Sequence, residues 1–145
     1  MNISIRDIWR KRHVQGEGDV HPGEALHPER AAELYAECEL LRARAEEAGV
    51  VLADDPESLS ALDQLLPSWR DDPELLDWLG NDAGLYLGTV LVRTVPGAGW
   101  ELLPEGHPVV RLASGRRVDV VAAGVNWADT GSPELSQVYA ETSEG

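Results

Sequence analysis

Gly80-Asn81-Asp82-Ala83-Gly84-Leu85-Tyr86-Leu87-Gly88-Thr89-Val90-Leu91-Val92 carries the strongest pattern in the chain, three glycines recurring at every fourth position. Residues four apart share one face of an α-helix. Leu79, Ala83, Leu87, Val90 and Leu91 form an apolar stripe beside the glycines at helical spacing. Glycine inside a helix costs about 1 kcal/mol relative to alanine, so three in register call for a compensating contact. A face without Cβ atoms supplies one, because a second helix or strand backbone can lie almost against it. A strand reading competes, since Leu85, Leu87, Thr89 and Leu91 also alternate with Tyr86, Gly88, Val90 and Val92, and valine favours strands. The helical period fits better, no turn signal interrupts Pro73 to Thr89, and Pro96-Gly97 supplies a stop. The spacing predicts a helix over residues 73–94, with Gly80 as the point where it can bend.

Working outward, Asp71-Asp72-Pro73-Glu74 repeats Asp54-Asp55-Pro56-Glu57. Paired carboxylates suit Mg²⁺ or Ca²⁺, but the placement is that of helix starts. Asp55 and Asp72 sit as N-caps, Pro56 and Pro73 at the first helical positions, and Glu57 and Glu74 in the first turn. A helix is expected from Pro56 to Leu66, buried through Leu59, Leu62, Leu65 and Leu66 and ended by Pro67, with Trp69 and Trp78 at the corner. Ser132-Pro133-Glu134 repeats the device, opening a last helix from Pro133 to about Glu141 that buries Leu135, Val138 and Tyr139. A first helix opens at His27-Pro28-Glu29 and ends at Gly49. Its stripe is Leu34, Cys38, Leu41, Ala45 and Ala48, with Tyr35 alongside. On that stripe Cys38 reads as a small core hydrophobe and not as a nucleophile. Val50-Val51-Leu52 reads as a short strand or a buried connector.

Beyond Pro96 the period changes. Trp100–Leu103, Val109–Ala113 and Val118–Ala122 read as three strands, separated by turns at Pro104-Glu105-Gly106-His107-Pro108 and Ser114-Gly115-Arg116. Residues 123–131 read as a loop around Trp127. The fold class expected is α+β: three N-terminal helices, a three-stranded antiparallel β-meander with one face on the helices, and a C-terminal helix.

Composition sets the outer limits. The 145 residues suit one domain, and 43% hydrophobic content is enough for a core. With no phenylalanine, five tryptophans and three tyrosines supply all the aromatic bulk. Twenty-six acidic residues against twelve basic ones give a formal charge of −14. That field repels nucleic acid and favours a basic partner. A single cysteine permits no internal disulfide and suits a reducing cytoplasm. No apolar run is long enough to span a bilayer.

Residues 1–26 read as a basic arm and loop, and residues 27–145 as the α+β domain. Within the arm Ile5, Ile8 and Trp9 share a helical face beside Arg10, Lys11 and Arg12. These six residues are the candidate partner-binding set, for a protein groove or, only through this arm, a membrane surface. No catalytic, cofactor or metal set emerges. The four histidines lack metal-ligand spacing, and GxSxG, Walker A and GxGxxG are all absent. Asp82, Glu101, His107, Arg111 and Asp119 become acid–base candidates if the meander folds over the glycine helix.

Two strings carry a resemblance. LDQLLPSWRDDPELLDWLGNDAGLYLGTVLVRTVPGAGWEL from Leu62 and GHPVVRLASGRRVDVV from Gly106 resemble a family of small acidic proteins from Streptomyces and related actinobacteria, a domain of unknown function. The likeness extends to ECELLRA over residues 37–43 and SPELSQVYAE over residues 132–141. It implies a bacterial cytoplasmic protein and a shared fold, with no catalytic residues to carry over. A helix rich in glycine and tyrosine followed by a tryptophan strand is also similar to small α+β domains among bacterial immunity and accessory proteins. The leading expectation is a non-enzymatic interaction or accessory protein with a protein partner. The alternative is a small hydrolase or ligand-binding enzyme using the acidic groups near the glycine helix and the meander.

Overall fold

Residues 35–144 are described by the computed structural model, and the helix over the glycine repeat is its central element. In chain order the elements are α1 (Glu39–Glu47), α2 (Pro56–Trp69), α3 (Pro73–Thr94), β1 (Gly99–Leu102), β2 (Pro108–Arg111), β3 (Arg117–Val118), α4 (Val120–Thr130) and α5 (Leu135–Ser143). Helix α3 covers the whole stretch contested between helix and strand. Every residue from Asp82 to Leu91 is buried, and a helix covered on all sides lies at the centre of a core. Asp72 starts it as expected, its Oδ1 accepting from Leu75 N–H at 3.2 Å. Asp55 does the same for α2, accepting from Ser58 N–H at 2.9 Å. Gly49, at φ 85°, closes α1, with Val50 N–H returning to the Ala45 carbonyl at 2.8 Å.

The antiparallel meander is present, in the order β1-β2-β3, with Trp100 opposite Val110 and Val110 opposite Val118. Its third strand is shorter than expected. Arg117–Val118 is all of it, and Val120–Thr130, expected as strand and loop, is helix α4. Asp119 caps α4 by accepting from Ala122 N–H at 3.0 Å, and Gly131 at φ 77° ends it. Val120, Gly124, Trp127 and Ala128 are its buried face, at i, i+4, i+7 and i+8. Burial at that period outweighs the strand preference of the valines.

Helix α4 is what the glycine repeat packs against. A Cβ on Gly80 would stand 2.8 Å from Val125 Cα, and one on Gly84 2.7 Å from Val121 Cα. Gly124 completes the seam from the other side, where a Cβ would stand 2.6 Å from Gly84 Cα. Gly88 meets the Trp100 ring instead, and that ring also packs on Tyr35 with centroids 4.5 Å apart.

Three further expectations are corrected. Pro67 lies inside α2, which runs on to Trp69. The proline forfeits one bond to the Asp63 carbonyl, and burial of Leu66 and Trp69 on that face offsets it. The single helix expected to Gly49 is broken at Cys38, whose backbone is left-handed at φ 38° between helical residues 35–37 and α1. Ala48 is consequently exposed, while Tyr35, Cys38, Leu41 and Ala45 are buried. Helix α5 starts at Leu135, two residues later than expected, after a cis Ser132–Pro133 peptide, and its cap comes from elsewhere in the chain. Residues 50–52 form a connector in which Leu52 is buried and Val51 exposed. Among the described residues no helix is long and apolar enough to cross a membrane.

Candidate functional site

The five acid–base candidates divide among three places. Asp82 lies in the core between α3 and α1. Its Oδ2 accepts from Leu41 N–H at 2.9 Å, the place a cap residue would fill, because Cys38 makes no side-chain cap. Its Oδ1 is buried with no hydrogen-bond partner among the described residues. Burial pushes the Asp82 carboxyl up to about 6, against the opposing effects of the Leu41 N–H and the Arg42 charge. The Cys38 thiol donates to the Tyr35 carbonyl at 3.0 Å, and burial, then the Asp82 charge, raises its pKa. A protonated, buried thiol is inert, as its place on the apolar stripe implied.

Glu101 and Arg111 lie on the sheet, where Glu101 takes Arg117 Nε at 2.6 Å and Arg111 at 3.7 Å. His107 and Asp119 do meet. His107 Nε2 is 2.9 Å from Asp119 Oδ1, the oxygen that also caps α4. The tie leaves Nδ1 as the ring nitrogen available to a ligand.

Other carboxylates are structural. Asp54 holds Arg42 at 2.8 Å and also pairs with Arg93, while Arg42 covers the Tyr86 ring. Asp63 was not foreseen. From α2 it accepts from Trp127 Nε1–H at 2.9 Å, Leu135 N–H at 2.8 Å, and Ser136 N–H and Oγ–H at 3.1 and 2.6 Å. It therefore caps α5 and fixes α4 with one side chain. Nothing near Asp63 in sequence announces partners more than sixty positions away.

His107 lines a cleft of about 310 Å³ with Asn81 and Leu85 of α3, Glu105 of the β1–β2 turn, Pro108 at the start of β2, and Val121 of α4. The turn is set by Gly106, at φ 84°, whose N–H donates to the Leu103 carbonyl at 2.7 Å. Leu103 N–H donates in turn to the His107 carbonyl at 2.9 Å. Glu105 and His107 are thus held at the tip over the two helices. Of this group, sequence reasoning had only His107, as one of five acid–base candidates with no pairing assigned. It missed Asn81 and Glu105, whose only signal was a polar position flanking the glycine face and a turn. The arm residues Ile5, Ile8, Trp9, Arg10, Lys11 and Arg12 lie outside the described residues.

A model of a family of unknown function (DUF6278) matches residues 1–145, and the chain belongs to that family. No curated protein and no solved structure matches it.

Proposed function

We propose that this member of the family is a non-enzymatic interaction or accessory protein that takes part of a protein partner into the His107 cleft. The observation carrying this reading is the cleft itself. Three separate chain segments bring an amide, a carboxylate and an imidazole around apolar Leu85, Pro108 and Val121. Polar groups that converge beside an apolar wall are a usual feature of a recognition site. The arm with Ile5, Ile8, Trp9, Arg10, Lys11 and Arg12 offers a second contact, to the same partner or to a membrane surface. The charge of −14 disfavours nucleic acid, and the lone cysteine is compatible with a bacterial cytoplasm.

A second reading, a small hydrolase, is favoured by one contact. Asp119 holds His107 Nε2 at 2.9 Å, as a carboxylate orients an imidazole base. Water would have to be the nucleophile, because the cleft lining offers no hydroxyl or thiol among the described residues.

Affinity capture from the native host, quantified for the parent and for Asn81→Arg, tests the proposal. The substitution fills the cleft and should lower recovery of a specific partner at least tenfold without lowering the melting temperature. Equal recovery by both proteins would refute docking in the cleft.

A further inference from the structure

We infer that the cleft is a receptor for a guanidinium group, the side chain of an arginine on a basic segment of the partner; this rests on reading the cleft as the docking site. Size sets the first limit. Ligand pockets span about 300–1,000 Å³, and 310 Å³, at the lower end, has room for one long side chain. Charge sets the second. Glu105 contributes a full carboxylate, Asp119 pairs with His107 at 2.9 Å, and no lysine or arginine lines the cleft among the described residues. The opposing charge is the N-terminus of α4, about half a unit, and Asp119 already accepts from its Ala122 N–H. The local balance is negative, on a chain of net charge −14.

Shape sets the third. Leu85, Pro108 and Val121 offer an apolar wall for the methylene stem of a long basic side chain, whose charged head stays near water. The head then finds the carboxylate of Glu105 and the amide oxygen of Asn81. A planar fork of five donors uses such a set of spread acceptors better than a compact ammonium does. Arginine therefore outranks lysine. An anionic side chain would meet Glu105 head on.

The test is a titration of the full chain followed by ¹⁵N–¹H spectra, with N-acetylarginine methylamide as probe. N-acetylcitrulline methylamide serves as its neutral isostere, and the lysine and aspartate analogues complete the set. Saturable shifts are expected at the amides of Asn81, Gly106, His107 and Val121 with the arginine probe. Binding should be at least fivefold weaker for citrulline, intermediate for lysine and absent for aspartate. Glu105→Gln, a change on an exposed turn, should weaken the arginine probe at least fivefold. Equal binding of arginine and citrulline, indifference to Glu105→Gln, preference for aspartate, or no saturable shift would each overturn the inference. The two readings fail separately. Partner capture lost with Asn81→Arg but retained with Glu105→Gln leaves docking standing and removes the guanidinium.

Discussion

Gly80 and Gly84 on one strip of α3, and Asn81 and Leu85 on the next, face the same helix α4 with opposite results. Along the first strip the two backbones touch, Gly124 answering Gly80 and Gly84 with no side chain between them. Along the second, one residue over, Asn81 and Leu85 border open space with Val121 and the hairpin tip. The residue type decides which. A strip without Cβ atoms closes the joint, and the next strip, with side chains, holds it ajar for the His107 turn. The seam fixes how α3 and α4 lie, and the cleft is what that fixed geometry leaves beside it.

The largest way to break this contrast is to put a side chain into the seam. Gly84→Leu gains helix propensity, but its Cβ would meet the backbone of Val120 and Val121, which cannot rotate away as a side chain could. Overpacking typically costs 1–3 kcal/mol. Against backbone on both sides the expected cost is about 3 kcal/mol or more, a fall of roughly 10 °C in thermal unfolding. A variant melting at or above the parent temperature would mean that the seam is not the joint described.

Asp82, next to Asn81, sharpens the comparison by showing a third way for α3 to meet a neighbour. Towards α1 the contact is neither bare nor open but closed by a buried carboxylate. With its folded value raised from 3.8 to about 6, this group binds more protons folded than unfolded between those values. Its contribution therefore favours the fold below pH 4 and is lost as pH rises through about 6. The difference corresponds to about 3 kcal/mol. Asp82→Asn keeps an acceptor for Leu41 N–H and cannot titrate. Relative to the parent, its stability in urea should improve by about that amount between pH 4 and pH 7. A parent–variant difference that stays constant with pH would remove Asp82 as the source.

Much of this arrangement was legible in the chain, and what was not has a common cause. The glycine repeat, the Asp55 and Asp72 caps and the meander are local patterns, each read from neighbouring stretches of the chain. Helix α4 was hidden because its evidence is split. Asp119 looks like a solvent-facing strand residue until Ala122 is seen to be capped, and Gly124 looks like a loop residue until the other half of the seam is known. Its register with Trp127 and Ala128 was present but outweighed by four valines between positions 118 and 125. Asp63 and Asp82 were illegible for a different reason. Each satisfies the start of a helix that belongs to another part of the chain, and such a cap leaves no spacing to read. The cleft shares both difficulties, since it needs α4 in place and three segments brought together.

The smallest expected effect tests whether the open strip matters to the fold at all. Asn81 is half-buried and Glu105 exposed, and neither makes a side-chain hydrogen bond among the described residues. The His107 ring is tied, among the described residues, to a partly exposed Asp119 that also caps α4, a pair whose worth on a wet surface is at most about 1 kcal/mol. Asn81→Ala and Glu105→Gln should therefore each shift stability by no more than about 0.5 kcal/mol, within a degree or two in thermal unfolding. His107→Ala should cost slightly more, because Asp119 loses a partner but keeps Ala122 N–H. Substitutions one residue over, on the glycine strip, should be several times worse. If Glu105→Gln or Asn81→Ala instead destabilises the protein as strongly as Gly84→Leu, the cleft is a packed part of the core and not a place held open for a partner.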